Sequence, residues 1–233
     1  MSEFFVTGTD TGVGKTLVAA ALLRAAGARG LRTIGIKPVA AGCERRDGQW
    51  VNADALLLQA NATVRLDYAQ VNPVALRTAM APHLAAVEDG VTLTAANLAG
   101  HCRDSARIGH DLLLAEGAGG WLVPLNARET MADVAGTLGW PVILVVGMRL
   151  GCLNHALLTA AAIRAAGLEL AAWVANSAWP DMPALAANID TLDAHLGAPR
   201  LGQLPWLGSG MDIEAAARHV DMSLLPVMPH ARL

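Results

Sequence analysis

The sequence predicts a single α/β domain, with helices packed on both faces of a mainly parallel sheet. Short apolar segments rich in β-branched residues alternate with longer stretches of helical periodicity, the order typical of right-handed strand–helix–strand crossovers. The chain has 233 residues and 54% of them are hydrophobic, which suffices for one large core. We therefore expect residues 1–233 to form one domain, in which the pattern determines residues 220–233 least.

The apolar segments predict strands at residues 3–8, 33–38, 111–116, 141–147, 170–175 and 200–204. The helical stretches are predicted at residues 15–28, 52–61, 94–108, 130–138, 153–166 and 183–196. Asn52 and Thr130 stand where helices begin and are residue types that cap helix N-termini. Residues 62–93 have the least regular pattern, and we expect them to cross one edge of the sheet.

Composition excludes several classes of partner. The net charge is −3 and no basic run indicates nucleic acid or a membrane surface. The apolar stretch "PVILVVGM" is far shorter than the roughly 20 residues that span a bilayer, and the N-terminus does not resemble a signal peptide. Cys43, Cys102 and Cys152 lack metal or disulfide spacing, so we expect free thiols, buried or partly exposed, in a reducing compartment. These features predict a cytoplasmic protein that binds small molecules.

The stretch "GTDTGVGKT", residues 8–16, directly follows the apolar run "FFV" and precedes a predicted helix. A glycine-rich turn between a strand and a helix directs backbone N–H groups at a phosphate. Lys15 would reach the β- and γ-phosphates, and the Thr16 hydroxyl would bind Mg²⁺. The loop is a variant of the usual G-x-x-x-x-G-K-[ST] pattern, because its leading glycine, Gly8, stands one position earlier. The alternative is a glycine-rich turn without a ligand.

Two acidic residues are candidates for a metal contact. Asp54 lies in "NADALLLQ" at a predicted helix N-terminus, and Glu116 ends the buried strand "DLLLAE" before the turn "GAGG". A carboxylate at a strand end beside a phosphate-binding loop is the expected position for a ligand of Mg²⁺. Capping or solvated acids are the alternative for each residue alone.

Lys37 is, with Lys15, one of only two lysines in the chain. It follows the apolar strand "TIGI" and precedes Pro38, which disfavours a helical continuation. An ammonium group at this place would stabilise negative charge on a transferred phosphoryl group. An ordinary surface lysine is the alternative.

All the chemically suggestive segments follow predicted strands, at residues 8–16, 37–44, 116–120, 147–154 and 176–177. Because parallel sheets bind ligands beyond the carboxyl ends of their strands, we expect these segments to line one shared cleft.

Six segments together resemble the dethiobiotin synthetase family, in the same order over roughly residues 4–207: "GTDTGVGKT", "GIKPVAAG", "NADALLLQ", "EGAGGWLVPL", "PVILVVGMRLGCLNHALLT" and "QLPWL". The resemblance implies a P-loop NTPase-like domain that works as a homodimer. It also implies an enzyme of biotin biosynthesis that uses ATP, Mg²⁺ and CO₂ to close the ureido ring of dethiobiotin on 7,8-diaminopelargonic acid.

The resemblance further implies the roles of individual residues. The triphosphate would be held by Gly12, Val13, Gly14, Lys15, Thr16 and Leu17. Mg²⁺ would be bound by Thr16, Asp54 and Glu116. The rest of the nucleotide would contact Glu116, Gly117, Ala118, Gly119, Asn176, Ser177, Pro205, Trp206 and Leu207, with the Asn176 amide reading adenine. The diamine substrate would contact Thr11, Lys37, Ala41, Cys152, Leu153 and Asn154, the last three from the partner subunit. Thr11, Lys15 and Lys37 would be catalytic, Lys37 most directly.

Three positions depart from the family pattern. Ala41 stands where a serine hydroxyl commonly contacts the substrate, so substrate affinity could differ. Gly12 stands where some members have an acidic residue, which would alter the flexibility of the loop. Ser177 replaces an acidic neighbour, which bears on nucleotide selectivity.

Two other functions of P-loop proteins are the alternatives. A cobyrinate diamide synthase would need a glutaminase domain, for which this chain has no room. A ParA/MinD-like positioning ATPase would carry an additional lysine early in the loop, where this chain has Thr9 and Asp10. We expect Trp121, Trp173 and Trp206 to be packing residues and Arg45 and Arg46 to lie in a solvated loop.

Overall fold

The computed structural model describes residues 1–208 and 210–227. The strands in chain order are β1 (Ser2–Gly8), β2 (Thr33–Ile36), β3 (Val39–Ala40), β4 (Glu44–Arg46), β5 (Gln49–Val51), β6 (Val74–Ala75), β7 (Leu112–Glu116), β8 (Val142–Gly147), β9 (Leu170–Asn176) and β10 (Arg200–Leu204). The helices are α1 (Lys15–Ala28), α2 (Ala53–Asn61), α3 (Tyr68–Val71), α4 (Pro82–Asp89), α5 (Ala95–Ala106), α6 (Met131–Leu138), α7 (Cys152–Ala165), α8 (Leu185–Leu196) and α9 (Ile213–Ala217).

The central sheet has six parallel strands in the order β10–β9–β8–β1–β7–β2, and it confirms the predicted α/β fold. Strand β1 lies between β7 and β8, and the register pairs Val6 with Glu116 and Gly8 with Val145. The loop after β1 therefore begins beside the end of β7. This register brings the glycine-rich loop to Glu116.

Side-chain alternation along the strands divides the interior into two hydrophobic clusters, one on each face of the sheet. In β1, Phe4 and Val6 pack in one cluster and Phe5 packs in the other, because successive residues of a strand point to opposite faces. Helices α1 and α9 contribute to the first cluster, and α5, α6, α7 and α8 contribute to the second. Both faces of the sheet are covered, so the central strands are apolar throughout.

The predicted helix starts are confirmed by their caps. The Asn52 side chain accepts the N–H groups of Asp54 (3.0 Å) and Ala55 (3.3 Å), so α2 begins beside the candidate metal ligand. Thr130 forms a reciprocal capping box with Asp133 at the start of α6.

The irregular segments contain short strands and helices that the hydrophobic pattern did not predict. Residues 62–93 contain α3, β6 and α4, and β6 pairs with β3 outside the central sheet. Arg45 and Arg46 are exposed as expected, but they lie in an antiparallel hairpin of β4 and β5 rather than in a loop. Strands of two or three residues are too short to show a period, so only tertiary pairing reveals them.

The chain after residue 220 packs back on α1 as far as it is described. A 3₁₀ turn covers Met222–Leu224, and Met222 and Leu225 are buried in the cluster that contains α1. The remainder of the tail, residues 228–233, lies outside the described residues. All three cysteines are free and buried, as expected. No helix of the described part is both long and apolar enough to cross a membrane.

Candidate active site

The glycine-rich loop joins β1 to α1 in a conformation that glycine permits. Gly14 caps the N-terminus of α1 with φ 88°, and a Cβ there would lie 2.1 Å from Nδ2 of Asn176. Gly12 also has a positive φ, of 74°. The Asn176 side chain donates to the main-chain oxygen of Val13 (2.8 Å), which ties the loop to the end of β9. The N-terminus of α1 is therefore open to an anion and rigidly held.

Lys37 lies in a buried cluster with two carboxylates. Its Nζ donates to Glu116 Oε1 (2.5 Å) and to Asp54 Oδ2 (3.1 Å), and the Thr16 hydroxyl donates to Glu116 Oε1 as well (2.9 Å). Strands β2 and β7 are neighbours whose register pairs Ile36 with Ala115, so their next residues, Lys37 and Glu116, lie side by side. Lys37 is only 4% exposed, which rules out the alternative of a surface lysine.

The two lysines differ in their electrostatic surroundings. Burial lowers the pKa of Lys15 from 10.5 to about 8, more than the nearby carboxylates raise it. Its Nζ donates to a main-chain oxygen, that of Asp10 (3.0 Å). Burial also acts to lower the pKa of Lys37, but the charges of Glu116 and Asp54 and their hydrogen bonds outweigh it and raise this pKa. Lys37 is thus held as a cation by two anions.

The residues around Glu116 fit a hydrated Mg²⁺ ion bound to a nucleotide. Glu116 Oε2 is buried and has no hydrogen-bond partner among the described residues, although its neighbour Oε1 accepts two hydrogen bonds. Asp54, with a side chain 36% exposed, and the Thr16 hydroxyl supply further oxygen ligands nearby. Mg²⁺ is typically held by one or two carboxylates together with phosphates and water.

A cleft of about 370 Å³ opens along the loop and the carboxyl ends of the strands. Its lining includes many of the predicted residues: Thr11, Gly12, Gly14, Lys15, Thr16, Leu17, Lys37, Asp54, Glu116, Gly119, Asn176, Ser177, Pro205, Trp206 and Leu207. Val13 and Gly117 are predicted residues that do not line this cleft. Val13 is buried in the core, and the N–H of Gly117 donates to the main-chain oxygen of Val6 (2.9 Å). Trp121 and Trp173 are buried as expected, but the packing role expected of Trp206 is wrong, since it is 43% exposed at the cleft.

A second cleft, of about 510 Å³, adjoins the first. The two clefts share Thr11, Lys37, Asp54 and Gly119. Ala41 and Ala118 line the second cleft, and so does a wall of apolar residues that sequence analysis did not single out: Ala79, Met80, Ala81, Pro82 and Val123. Most of this wall comes from the irregular segment 62–93, where no periodic pattern indicated a site.

Cys152, Leu153 and Asn154 lie at the N-terminus of α7 and line neither cleft. The Cys152 side chain is buried, 1% exposed, whereas Asn154 is exposed. Burial raises the pKa of the Cys152 thiol. The structure therefore does not bring these three residues together with the other predicted site residues of the same chain.

A parallel sheet with an anion-binding loop at its first helix, together with a lysine and carboxylates at the strand ends, defines the class of P-loop nucleotide-binding proteins. A family model described as "AAA domain" matches residues 2–212. Solved structures of similar fold include the septum site-determining protein MinD of Pyrococcus horikoshii with Mg-ADP (TM-score 0.53, 17% identity, 93% of both chains). Another is the signal recognition particle receptor FtsY of Elizabethkingia anophelis with GDP (TM-score 0.58, 15% identity). This match covers 93% of this chain and 61% of the FtsY chain. At these identities the likeness shows the fold alone.

Curated relatives identify the family within this class. The chain is 56% identical to the ATP-dependent dethiobiotin synthetase BioD of Cellvibrio japonicus, over 95% of this chain and 96% of the relative. It is 55% identical to BioD of Marinobacter nauticus over 88% of each chain, and 50% identical to BioD of Pseudomonas aeruginosa PAO1 over 97% and 99%. The chain belongs to the ATP-dependent dethiobiotin synthetase family. It is accordingly an enzyme of the ligase class, as the motifs predicted.

Proposed function

We propose that this enzyme converts 7,8-diaminopelargonic acid, CO₂ and ATP into dethiobiotin, ADP and phosphate in the cytoplasm, as a step of biotin biosynthesis. The observation that carries the proposal is the common wall of the two clefts, formed by Thr11, Lys37, Asp54 and Gly119. A nucleotide in the first cleft would present its γ-phosphate at this wall, where an acceptor in the second cleft could reach it. Relatives named for dethiobiotin synthesis, at up to 56% identity, support this assignment.

The first cleft would bind the nucleotide through the loop and the strand ends. Residues 12–17 would surround the triphosphate, with Lys15 leaving the Asp10 oxygen for the phosphate charge. Asn176 already uses Nδ2 to hold Val13, so its Oδ1 would accept from the adenine amino group. Ser177 and residues 205–207 would enclose the base, and residues 116–119 would line the sugar–phosphate side.

Mg²⁺ bound with the nucleotide would be held by Thr16, Asp54 and Glu116 and would neutralise charge on the β- and γ-phosphates. The unpartnered Oε2 of Glu116 supports this set of ligands. Glu116 Oε1 and Asp54 Oδ2 are the two oxygens now paired with Lys37. A lysine released from them would be free to contact the transferred phosphoryl group.

The reaction needs positioning and positive charge rather than a protein nucleophile. One substrate amine would attack CO₂ and lose a proton, giving a carbamate whose oxygen displaces ADP from the γ-phosphorus. The second amine would then attack the carbonyl carbon of this carbamic–phosphoric anhydride, expel phosphate and close the ring. Lys37 and Lys15 would stabilise the oxygens of the transferred group, and Thr11 would orient the acceptor at the common wall.

The substrate carboxylate would be bound by a second copy of the chain, in a homodimer. Helix α7 presents N–H groups of its first turn at Leu153 and Asn154, and such groups bind carboxylates. The Cys152 side chain is buried and its N–H donates to the main-chain oxygen of Arg149 (2.9 Å), so Cys152 would hold the start of the helix in place while Leu153 and Asn154 contact the carboxylate. Leu150 and Leu158, 95% and 62% exposed in the single chain, provide apolar surface beside this site. Light scattering at micromolar concentration tests the arrangement, and a monomer would contradict it.

The experiment that tests the activity combines the enzyme with 7,8-diaminopelargonic acid, ¹³C-bicarbonate and MgATP. Mass spectrometry should show a cyclic urea that carries one ¹³C, and omission of any one component should abolish it. A reaction without enzyme measures non-enzymatic product, and the Lys37→Met variant should form far less cyclic urea than the unmodified enzyme. ATP turnover that ignores the diamine and bicarbonate but responds to DNA or lipid would favour a nucleotide-switched positioning ATPase instead.

A further inference from the structure

Arg149 connects the segment before α7 to the glycine-rich loop. It lies between β8 and α7, and its Nη2 donates to Asp10 Oδ2 (2.6 Å). The guanidinium carbon lies 4.9 Å from the ring centroid of Trp179, a cation–π contact that orients the guanidinium plane. Neither Arg149 nor Trp179 has a role in the reaction described above.

Asp10, the partner of Arg149, determines the conformation of the loop at its first half. Its Oδ1 accepts the N–H of Thr11 (2.7 Å), and its main-chain oxygen accepts the Lys15 ammonium (3.0 Å). Both carboxylate oxygens of Asp10 are therefore used, one to order Thr11 and one to attach the loop to Arg149. Thr11 lines both clefts, so a shift of Asp10 would move a residue of their common wall.

Trp179 holds Arg149 by packing against its guanidinium group. A Cβ on Gly147 would lie 2.9 Å from Cζ3 of Trp179 and 2.8 Å from Cγ1 of Val13, so the indole and the loop pack closely over the end of β8. Trp179 follows Asn176, which holds the main-chain oxygen of Val13. The loop is thus attached at Asp10 through Arg149 and at Val13 through Asn176.

We propose that Arg149 is a positioning residue for the reaction, which acts through Asp10 to hold Thr11 at the common wall and which Trp179 keeps in place. The inference rests on the proposed function of the two clefts. A lysine would retain the charge at this position, but it lacks the planar group that packs on the indole and bonds the carboxylate in a fixed direction.

The chain contains a matched cluster away from the clefts. Arg200 donates through Nε to both oxygens of Asp193 (3.1 Å each), and its guanidinium carbon lies 6.0 Å from the Trp173 ring. Arg200 begins β10, whereas the clefts lie beyond the opposite end of that strand. Its side chain is 30% exposed, compared with 40% for Arg149. Partly exposed pairs of this kind contribute little to stability, so both arginines should be replaceable without unfolding.

The test compares Arg149→Ala, Arg149→Lys, Asp10→Asn, the double variant Arg149→Ala/Asp10→Asn and the control Arg200→Ala. We expect kcat for dethiobiotin formation to fall about 20-fold in Arg149→Ala, less in Arg149→Lys and not at all in Arg200→Ala. The double variant should be no slower than the slower single variant, because both changes break one connection. All midpoints of thermal unfolding should stay within about 4 °C of the unmodified enzyme.

Amide hydrogen exchange of a peptide that covers residues 8–12 tests, independently of turnover, whether Arg149 holds the loop through Asp10. Exchange should accelerate in Arg149→Ala and in Trp179→Leu and remain unchanged in Arg200→Ala. Unaltered kcat and exchange in Arg149→Ala, or additive losses in the double variant, would overturn the inference. If the unmodified enzyme formed no cyclic urea, the proposed function would fail, while the exchange measurement would still decide whether Arg149 holds the loop.

Discussion

Lys15 and Lys37 are the two lysines of the chain, and both are buried, 6% and 4% exposed. Lys15 begins α1 and Lys37 follows β2, and their hydrogen-bond partners differ. Lys15 donates to the main-chain oxygen of Asp10, and burial lowers its pKa to about 8. Lys37 donates to Glu116 and Asp54, which raise its pKa against the effect of burial. Among the residues that the structure describes, no carboxylate bonds the ammonium group of Lys15, whereas that of Lys37 is already paired with two.

The difference shows that the hydrogen-bond partner, more than the degree of burial, determines the pKa of a buried lysine. A nucleotide would supply the anionic partner that the Lys15 ammonium lacks, so the loop is suited to binding an anion. At Lys37, a metal bound by the two carboxylates would replace the ammonium group and leave the lysine free to contact a phosphate. Three predictions test this contrast, beginning with the largest effect, and a fourth tests the nucleotide site to which Lys15 belongs.

Replacing Lys15 by Met should abolish turnover without loss of stability. We expect kcat/KM to fall about 10³-fold, because a charge-assisted contact to the transferred phosphate is lost. The empty enzyme should melt at a slightly higher temperature, since a buried ammonium with a lowered pKa is unfavourable in the folded state. Phosphate release and thermal denaturation measure both effects. A fall in melting temperature would contradict the contrast.

Replacing Lys37 by Met should lower kcat about 10²-fold, and, unlike the Lys15 variant, it should destabilise the enzyme. The free energy of unfolding should fall by about 3 kcal/mol, because Glu116 would be left buried without its cation. Mg²⁺ should restore part of this loss and should bind the variant more tightly than the unmodified enzyme, which isothermal titration calorimetry can measure. Equal metal affinity in both proteins would show that Lys37 does not compete with the metal.

Nucleotide affinity should depend on pH through Lys15. The lowered pKa means that the ammonium costs stability below about pH 8, and that this cost diminishes as the pH rises from 8 toward 10.5. Phosphates would raise the pKa again, so ADP binding should take up protons above pH 8 and weaken as the pH rises. Calorimetry in buffers of different ionisation enthalpy detects this uptake. The Lys15→Arg variant is the control, because arginine stays charged and should show none.

Replacing Trp206 by Ala should have the smallest effect, a loss of ADP affinity of about fivefold with kcat nearly unchanged. The indole would cover the base by stacking, a contribution of about 1 kcal/mol. Trp50 on the β4–β5 hairpin is similarly exposed, 40% against 43%, and lines neither of the two clefts, so Trp50→Ala is the matched control. Equal ADP affinities in the two variants would show that Trp206 does not contact the nucleotide.

Much of the fold could be predicted because its signals are local. The central strands are apolar runs of four to seven residues, and the caps at Asn52 and Thr130 satisfy their own helix N-termini. The second cleft could not be predicted in the same way. Met80, Pro82 and Val123 come from segments without periodicity, and their contact depends on the pairing of β3 with β6 and on the path of α4.

The sequence by itself determined the alternation of strands and helices, the anion-binding loop and the residues of its chemistry, because turns, caps and hydrophobic periods depend on neighbours along the chain. Only the tertiary structure decided the partners of those residues. It paired Lys37 with Glu116 and Asp54, and it brought Arg149 to Asp10 across 139 positions. Sheet order and register, not sequence distance, determine which charges meet, and the meeting with two carboxylates raises the pKa of Lys37.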